Sequence, residues 1–268
     1  MKFAIITDTH IGPPGFYRGT NRILSHLSET VVLELVETLN RQKDLAFISQ
    51  LGDLSQDDVR YPSAEFDRAN FQRALWYFKK FDLPVYHTVG NHDRENLTYD
   101  DLCQLLQIRT LHYSVDAAGY HCIYLYTRHF NHERMIIEPE QIAWLRDDLS
   151  QTQQPTLVFM HHPISDQDLT GCFWFEGLSH KAFVENREEV RAILEASGKV
   201  RAVFNGHLHR NNMWVHNNIP YFTIQSCVED VDNSGRPSKS FAVVTLDSDS
   251  ISVQIHGTDA TTYMHRFD

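Results

Sequence analysis

Apolar residues in this chain come in short runs that stop abruptly at polar groups. Phe3-Ala4-Ile5-Ile6-Thr7, Leu45 to Leu51, Leu83 to Val89, Thr156 to Met160 and Val200 to Phe204 each have the length of a buried strand. Between them the period lengthens. Ile23, Leu27, Val31, Leu35 and Leu39 recur every four residues, with Leu24 and Val32 beside them, which predicts a helix over 23–40. Phe66, Leu75, Phe78 and Phe81 predict a second over 61–81, with Pro62 near its start. Ile142, Leu145 and Leu149 mark a third over 138–149, opened by Pro139, and a fourth covers 185–196 with Gly198 as its cap. Residues 97–106 read as a short mixed segment. A hairpin is expected at 113–115 and 119–126, and further strands near 213–216, 220–225, 240–247 and 251–256. This rhythm predicts an α/β chain: a sheet covered by helices, with a second sheet packed against it.

The polar groups that end the runs share one chemistry. They are Asp8-Thr9-His10, Gly52-Asp53, Gly90-Asn91-His92-Asp93, His161-His162-Pro163 and Asn205-Gly206-His207-Leu208-His209. They follow strands rather than precede them, and open α/β sheets bind ligands at that edge. On a pleated strand Asp8 and His10 would point the same way. Asp8, His10, Asp53, Asn91, His161, His207 and His209 together are two carboxylates, an amide and four imidazoles. One ion does not use so many protein ligands, whereas two ions sharing a carboxylate do. The nitrogen and oxygen donors fit divalent or mixed-valence Mn, Fe, Zn or Co. Four histidines argue against Ca²⁺ or Mg²⁺, and the lack of cysteine argues against a structural zinc site.

Composition narrows the field. The 24 basic and 35 acidic residues leave a charge of −11, and no Lys/Arg-rich stretch lies beside the strand-end groups, which disfavours long nucleic acid as a partner. The cysteines at 103, 122, 172 and 227 are widely spaced, as in a reduced, cytoplasmic protein. No stretch has the length of a membrane span, and the first apolar run is too short for a signal peptide.

In their order, Asp-x-His, Gly-Asp, Gly-Asn-His-Asp, His-His-Pro and Gly-His-x-His resemble the motifs of the calcineurin-like metallophosphoesterase superfamily over roughly residues 3–209. The resemblance implies a four-layer α/β/β/α sandwich of two mixed β-sheets flanked by helices, and a single domain over 1–268. Spacing and size look most like the cyclic-nucleotide and glycerophosphodiester phosphodiesterase branch. It further implies that Asp8, His10 and His209 bind one metal, that Asn91, His161 and His207 bind the other, and that Asp53 bridges them. His92 matches a general acid or phosphate-contacting residue, and Asp93 the residue that orients it. The implied reaction is hydrolysis of a small phosphodiester by a hydroxide held between the ions. The alternative is a monoester or the pyrophosphate bond of a nucleotide-sugar.

Substrate contacts are expected from two loops, 11–22 and 163–183, and from Arg94: Tyr17, Arg18, Arg94, Trp174 and Phe175 are the candidates. The aromatic run 172–176 reads as a pocket wall, with a hydrophobic plug or a homo-oligomer contact as alternatives. His162 is expected to face away from its ligating neighbour, and His87 to be packed within its strand. Asp57 and Asp58 read as surface or helix-opening residues. The run Arg128 to Arg134, with His129, Asn131 and His132, borders the pocket or is a solvated loop. His112, His121, His216, His256 and His265 show no ligand spacing.

Overall fold

In chain order the elements are β1 (Lys2–Ile6), α1 (Ser28–Asn40), β2 (Ile48–Leu51), α2 (Ala64–Phe78), β3 (Val85–Thr88), α3 (Tyr99–Leu106), β4 (Tyr113–Ala117), β5 (Tyr120–Tyr124), β6 (Arg128–Phe130), β7 (Arg134–Ile136), α4 (Pro139–Gln151), β8 (Thr156–Phe159), α5 (Ser179–Ala182), α6 (Arg187–Ser197), β9 (Val200–Asn205), β10 (Asn212–His216), β11 (Ile219–Thr223), β12 (Phe241–Leu246), β13 (Ser250–His256) and β14 (Thr261–Arg266). They are those of a computed structural model that describes residues 1–15, 19–58, 60–130 and 134–267. One six-stranded sheet runs β14-β13-β12-β1-β2-β3 and the other β10-β11-β9-β8-β5-β4. Both are mixed. β1, β2 and β3 are parallel, as are β5, β8, β9 and β11, and antiparallel strands complete each sheet.

Three separate cores make four layers. Ala4, Ile6 and Ile48 face outward from the first sheet onto Val32, Leu35, Phe71, Ala74 and Leu102 of α1–α3. Phe3, Ile5, Phe47 and Leu51 face inward, against Tyr124, Leu157, Phe159 and Phe204 of the second sheet. Ile123, Val158 and Val203 carry α4 and α6 through Leu145, Leu149, Val190 and Leu194. Central strands are thus buried on both faces, which is why they read as unbroken apolar runs. This is the α/β/β/α sandwich expected from the sequence.

The pattern and the structure differ at several places. The helix expected over 23–40 opens as a 3-10 turn at Ser25–Leu27, and α1 begins at Ser28. Residues 97–106 contain α3, started by a capping box between Thr98 and Asp101. β14 has no counterpart in the expected strands, because only half-buried and exposed positions alternate along it. The polar run after Tyr126 supplies β6 and β7, which pair as a small ribbon. Among the described residues no helix is long and apolar enough to cross a membrane.

Phe159 sits at the centre of the inter-sheet core. It stacks on Tyr124 at 4.9 Å and on Phe204 at 5.3 Å, and meets Phe3 edge-on at 5.7 Å. Phe159→Ala is expected to cost about 3–5 kcal/mol of stability, measurable by urea unfolding. A loss under about 1 kcal/mol would mean that Phe159 does not anchor the core between the sheets.

Candidate metal centre

Each regular strand stops short of the residues that matter. β1 ends at Ile6, so the convergence of Asp8 and His10 does not come from the pleat, contrary to the expectation from strand alternation. It comes from left-handed backbone: φ is +51° at Asp8, +46° at His10, +47° at Asp53, +67° at His207 and +49° at His209. Such conformations cost about 1–3 kcal/mol each for residues with a side chain and cluster at functional sites. Two glycines make room for the result. A Cβ on Gly90 would collide with the Asp53 carboxylate, and one on Gly206 with Thr7 and Asp8. Close approach, rather than a sharp turn, is what Gly90 provides.

The C-terminal ends of β1, β2 and β3 meet those of β8 and β9 at the seam between the sheets. There the ligating atoms of Asp8, His10 and His209 lie within 4.8 Å of one another, and so do those of Asp8, Asp53 and His161. His209 Nε2 is 3.2 Å from both Asp8 Oδ1 and His10 Nε2. His161 Nε2 is 3.2 Å from Asn91 Oδ1 and 3.2 Å from Asp53 Oδ2. The same Asp53 oxygen is 4.0 Å from His10 Nε2, so this carboxylate lies between the two groups. His161, His162 and His207 form a further cluster.

The outer ring nitrogens are mostly engaged. His161 Nδ1 donates to Leu51 O at 2.7 Å, His207 Nε2 to Lys181 O at 3.0 Å, and His209 Nδ1 to Glu229 Oε2 at 2.8 Å. These bonds select the tautomers that present Nε2 of His161 and His209, and Nδ1 of His207, as electron-pair donors. Facing lone pairs on buried imidazoles, next to two carboxylates, fit a pair of divalent transition-metal ions.

Several sequence expectations need correction. His92 Nδ1 is paired with Asp57 Oδ1 at 2.6 Å, not with Asp93. Asp93 instead accepts from Gly90 N at 2.9 Å and from Ser55 N at 2.8 Å, tying the turn after β3 to the turn after β2. Asp57 is therefore no surface residue; it is 4% exposed. Nor does His162 face away. β8 ends at Phe159, alternation lapses, and His162 Nε2 comes within 3.2 Å of Asn91 Oδ1 and 2.9 Å of His129 Nε2. His87 is packed in β3 beside Phe78, as expected.

Trp174 and Phe175 line a cavity of about 290 Å³ together with Ile23, Leu178, Lys181, Asp53, Asn91, His92, His207 and His209. Arg94 lines a different cavity, with Tyr99, Tyr126 and Arg128, and donates to His129 O at 3.0 Å. Tyr17, Arg18, Asn131 and His132 lie outside the described residues. Asp57 and Glu229 carried no motif in the sequence; only their burial and partners single them out.

The profile of the calcineurin-like phosphoesterase family matches residues 1–211 of the chain. A manganese-dependent ADP-ribose/CDP-alcohol diphosphatase of Arabidopsis thaliana is 33% identical over 110 residues, which are 40% of this chain and 32% of that protein. The match thus spans about a third of that relative's length. A protein of the same description from Oryza sativa is 24% identical over 281 residues, covering 85% of this chain and 81% of its own. Among solved structures, a dimetal phosphatase from Danio rerio superposes with a TM-score of 0.79 at 16% identity, covering 100% of this chain and 99% of that one. At that identity the likeness concerns the fold.

Without metal, the charges of the cluster divide sharply. Burial drives His10 and His207 down to about 3, and both are neutral. Burial also opposes the cations of His161 and His209, but Asp53 and Asp8 outweigh it and hold them at about 9 and about 10. Burial would raise Asp8, yet His209 and His161 bring it to about 2. The unfolded chain titrates its histidines near 6.5. Depressed histidines cost stability at low pH, a cost relieved as pH rises from about 3 to 6.5. Raised histidines add stability below 6.5, which is lost as pH climbs through 9 and 10. The metal-free protein is therefore expected to be most stable near pH 6.5, as measured by denaturant unfolding across pH; a monotonic rise to pH 9 would contradict this charge distribution. Because metal must displace the protons on His161 and His209, loading Mn²⁺ at neutral pH is expected to release about two protons. Calorimetry in buffers of different ionisation enthalpy measures that number, and binding without proton release would rule the assignment out.

Proposed function

The chain belongs to the calcineurin-like phosphoesterase family, and from that premise we propose that it hydrolyses the diphosphate bond of a small nucleoside diphosphate conjugate, of the ADP-ribose or CDP-alcohol kind. The observation that carries this reading is the cavity beside the metal-ligating groups, where Trp174, Phe175, Ile23 and Leu178 offer apolar surface and Lys181 a positive charge. A nucleobase fits an aromatic wall and a diphosphate fits the charge. The plant relatives named as diphosphatases support the same substrate class over a cyclic nucleotide or a glycerophosphodiester.

In this reading Asp8, His10 and His209 hold one ion, Asn91, His161 and His207 the other, and Asp53 both. Bound there, the ions supply Lewis acidity at the phosphoryl oxygens and activate a water for attack. The chain's own residues do the rest. Asp53 also accepts the backbone N–H of His92 at 2.8 Å, which fixes that imidazole at the cavity. Burial disfavours a charge on His92, but Asp53 and Asp57 prevail and hold it at about 9. With cations beside Asp53 its pull on His92 weakens, and Asp57 remains the group that keeps Nδ1 protonated and the ring in place. As the imidazolium, with Nδ1–H on Asp57, His92 would offer Nε2–H to the phosphoryl oxygens or the departing oxygen. A departing phosphate monoester is a better leaving group than an alkoxide, so stabilising the phosphoryl oxygens is the larger part of its task. Asp93 acts on the backbone: it holds the Gly90 and Ser55 turns together.

Mn²⁺-loaded enzyme should turn over ADP-ribose or CDP-choline with kcat/KM at least about tenfold above that for a cyclic nucleotide, a bis-aryl phosphodiester or a phosphomonoester. A cyclic nucleotide or monoester as the best substrate would overturn the reading. Asp53→Ala should abolish turnover. Asp57→Asn should lower kcat by about 10–100-fold, and His92→Ala by about 10²–10⁴-fold, with the larger penalty on poor leaving groups. Equal penalties across leaving groups would argue against proton donation by His92.

A further inference from the structure

Of the two histidines that hold the first ion and the two that hold the second in the reading above, one is backed by a carboxylate. His209 Nδ1 donates to Glu229 Oε2 at 2.8 Å, while His161 and His207 spend their outer nitrogens on backbone carbonyls and His10 Nδ1 has no hydrogen-bond partner. Glu229 is 1% exposed and serves more than this one bond. Arg22 Nε donates to Oε1 at 2.7 Å, and the Trp174 indole N–H lies 3.2 Å from both oxygens. Its backbone is fixed as well: residue 229 bridges residue 23, Asp230 N donates to Arg22 O at 2.8 Å, and Leu24 N to Val228 O at 3.0 Å. Arg22 in turn lies over the Phe173 ring, 4.3 Å from its centroid.

We propose that Glu229 is a positioning residue that serves both sides of the site, orienting His209 toward the first ion and holding Trp174 as the wall of the substrate cavity. A carboxylate has about four lone-pair directions, enough for His209, Arg22 and a shared Trp174 N–H. A carboxylate behind a ligating imidazole makes it a better electron-pair donor and fixes its tautomer. Only the ion bound by Asp8, His10 and His209 gains from this, so the two ions differ in what they owe to Glu229. The wall half of the proposal rests on the diphosphatase reading; the ligand half needs only the metal pair.

The test is a calorimetric titration of the metal-free protein with Mn²⁺, followed by binding of ADP to the metal-saturated protein. Glu229→Gln keeps the shape of the side chain and removes its charge. It should weaken one Mn²⁺ step by about 10–100-fold and leave the other within about twofold. Glu229→Asp, which keeps the charge at a shorter reach, should show the same one-sided loss, and Trp174→Phe should leave both steps unchanged. Both Glu229→Gln and Trp174→Phe should weaken ADP binding. If both metal steps weaken alike, or neither does, the ligand half is overturned, since general damage to the fold would not spare one ion. If Glu229→Gln at full metal occupancy binds ADP like the unmodified protein, the wall half is overturned. Should the unmodified protein fail to bind ADP, the diphosphatase reading and the wall half fall together, while the metal steps still decide the ligand half.

Discussion

Two carboxylates, Asp8 and Asp53, are buried at the seam between the sheets without a lysine or arginine ion pair among the described residues. Buried charge is tolerated only where it is paired. The partners available here are imidazoles, which can carry a proton or a metal but not both through the same nitrogen. Much of the site follows from that constraint. His161 and His209, each 3.2 Å from a carboxylate oxygen, are pushed toward the cation, while burial holds His10 and His207 as neutral rings. An array with acids, neutral imidazoles and imidazolium ions packed this closely is a poor apolar core and a good receptor for divalent charge.

The fold delivers these groups by ending its strands early. Parallel strands buried on both faces must turn into polar loops at the sheet edge, and the clustered Asp, Asn and His groups sit two to four residues past the last regular position. Left-handed backbone at five of them re-aims side chains that a continued pleat would scatter. That conformation excludes β-branched residues in practice, which restricts these positions to side chains such as Asp and His that tolerate it. Backbone and ligand chemistry therefore select the same residue types.

This is also why the sequence was informative to different depths. Apolar runs ending in Asp, Asn and His are local patterns, so the layers and the cluster of polar groups at the strand ends could be read directly. The partners of those groups are not local. Asp57 reaches His92 from 35 residues earlier and Glu229 reaches His209 from 20 residues later, with no spacing rule to announce either. Asp93 misled because it adjoins His92, although adjacency on a turn does not bring two side chains together. For His162 the expectation fails because strand alternation ends at Phe159. α3 was legible after all: Thr98 and Asp101 are a capping box, outweighed by the short apolar stripe behind them. β14 was not, since an edge strand with no fully buried residue leaves no apolar signature.

The layer between the two sheets is almost wholly aromatic and aliphatic, and the Ser49–Tyr124 hydrogen bond at 2.8 Å is a polar link across it. Dispersion between interdigitated side chains holds such a layer together. At the metal edge the contacts are polar instead. The first sheet contributes Asp8, His10, Asp53 and Asn91, and the second His161, His207 and His209. A pair of ions held by these groups would act as a rivet through two plates. Metal occupancy would then set the mutual alignment of the sheets, and with it the stiffness of the molecule against shear far from the chemistry itself.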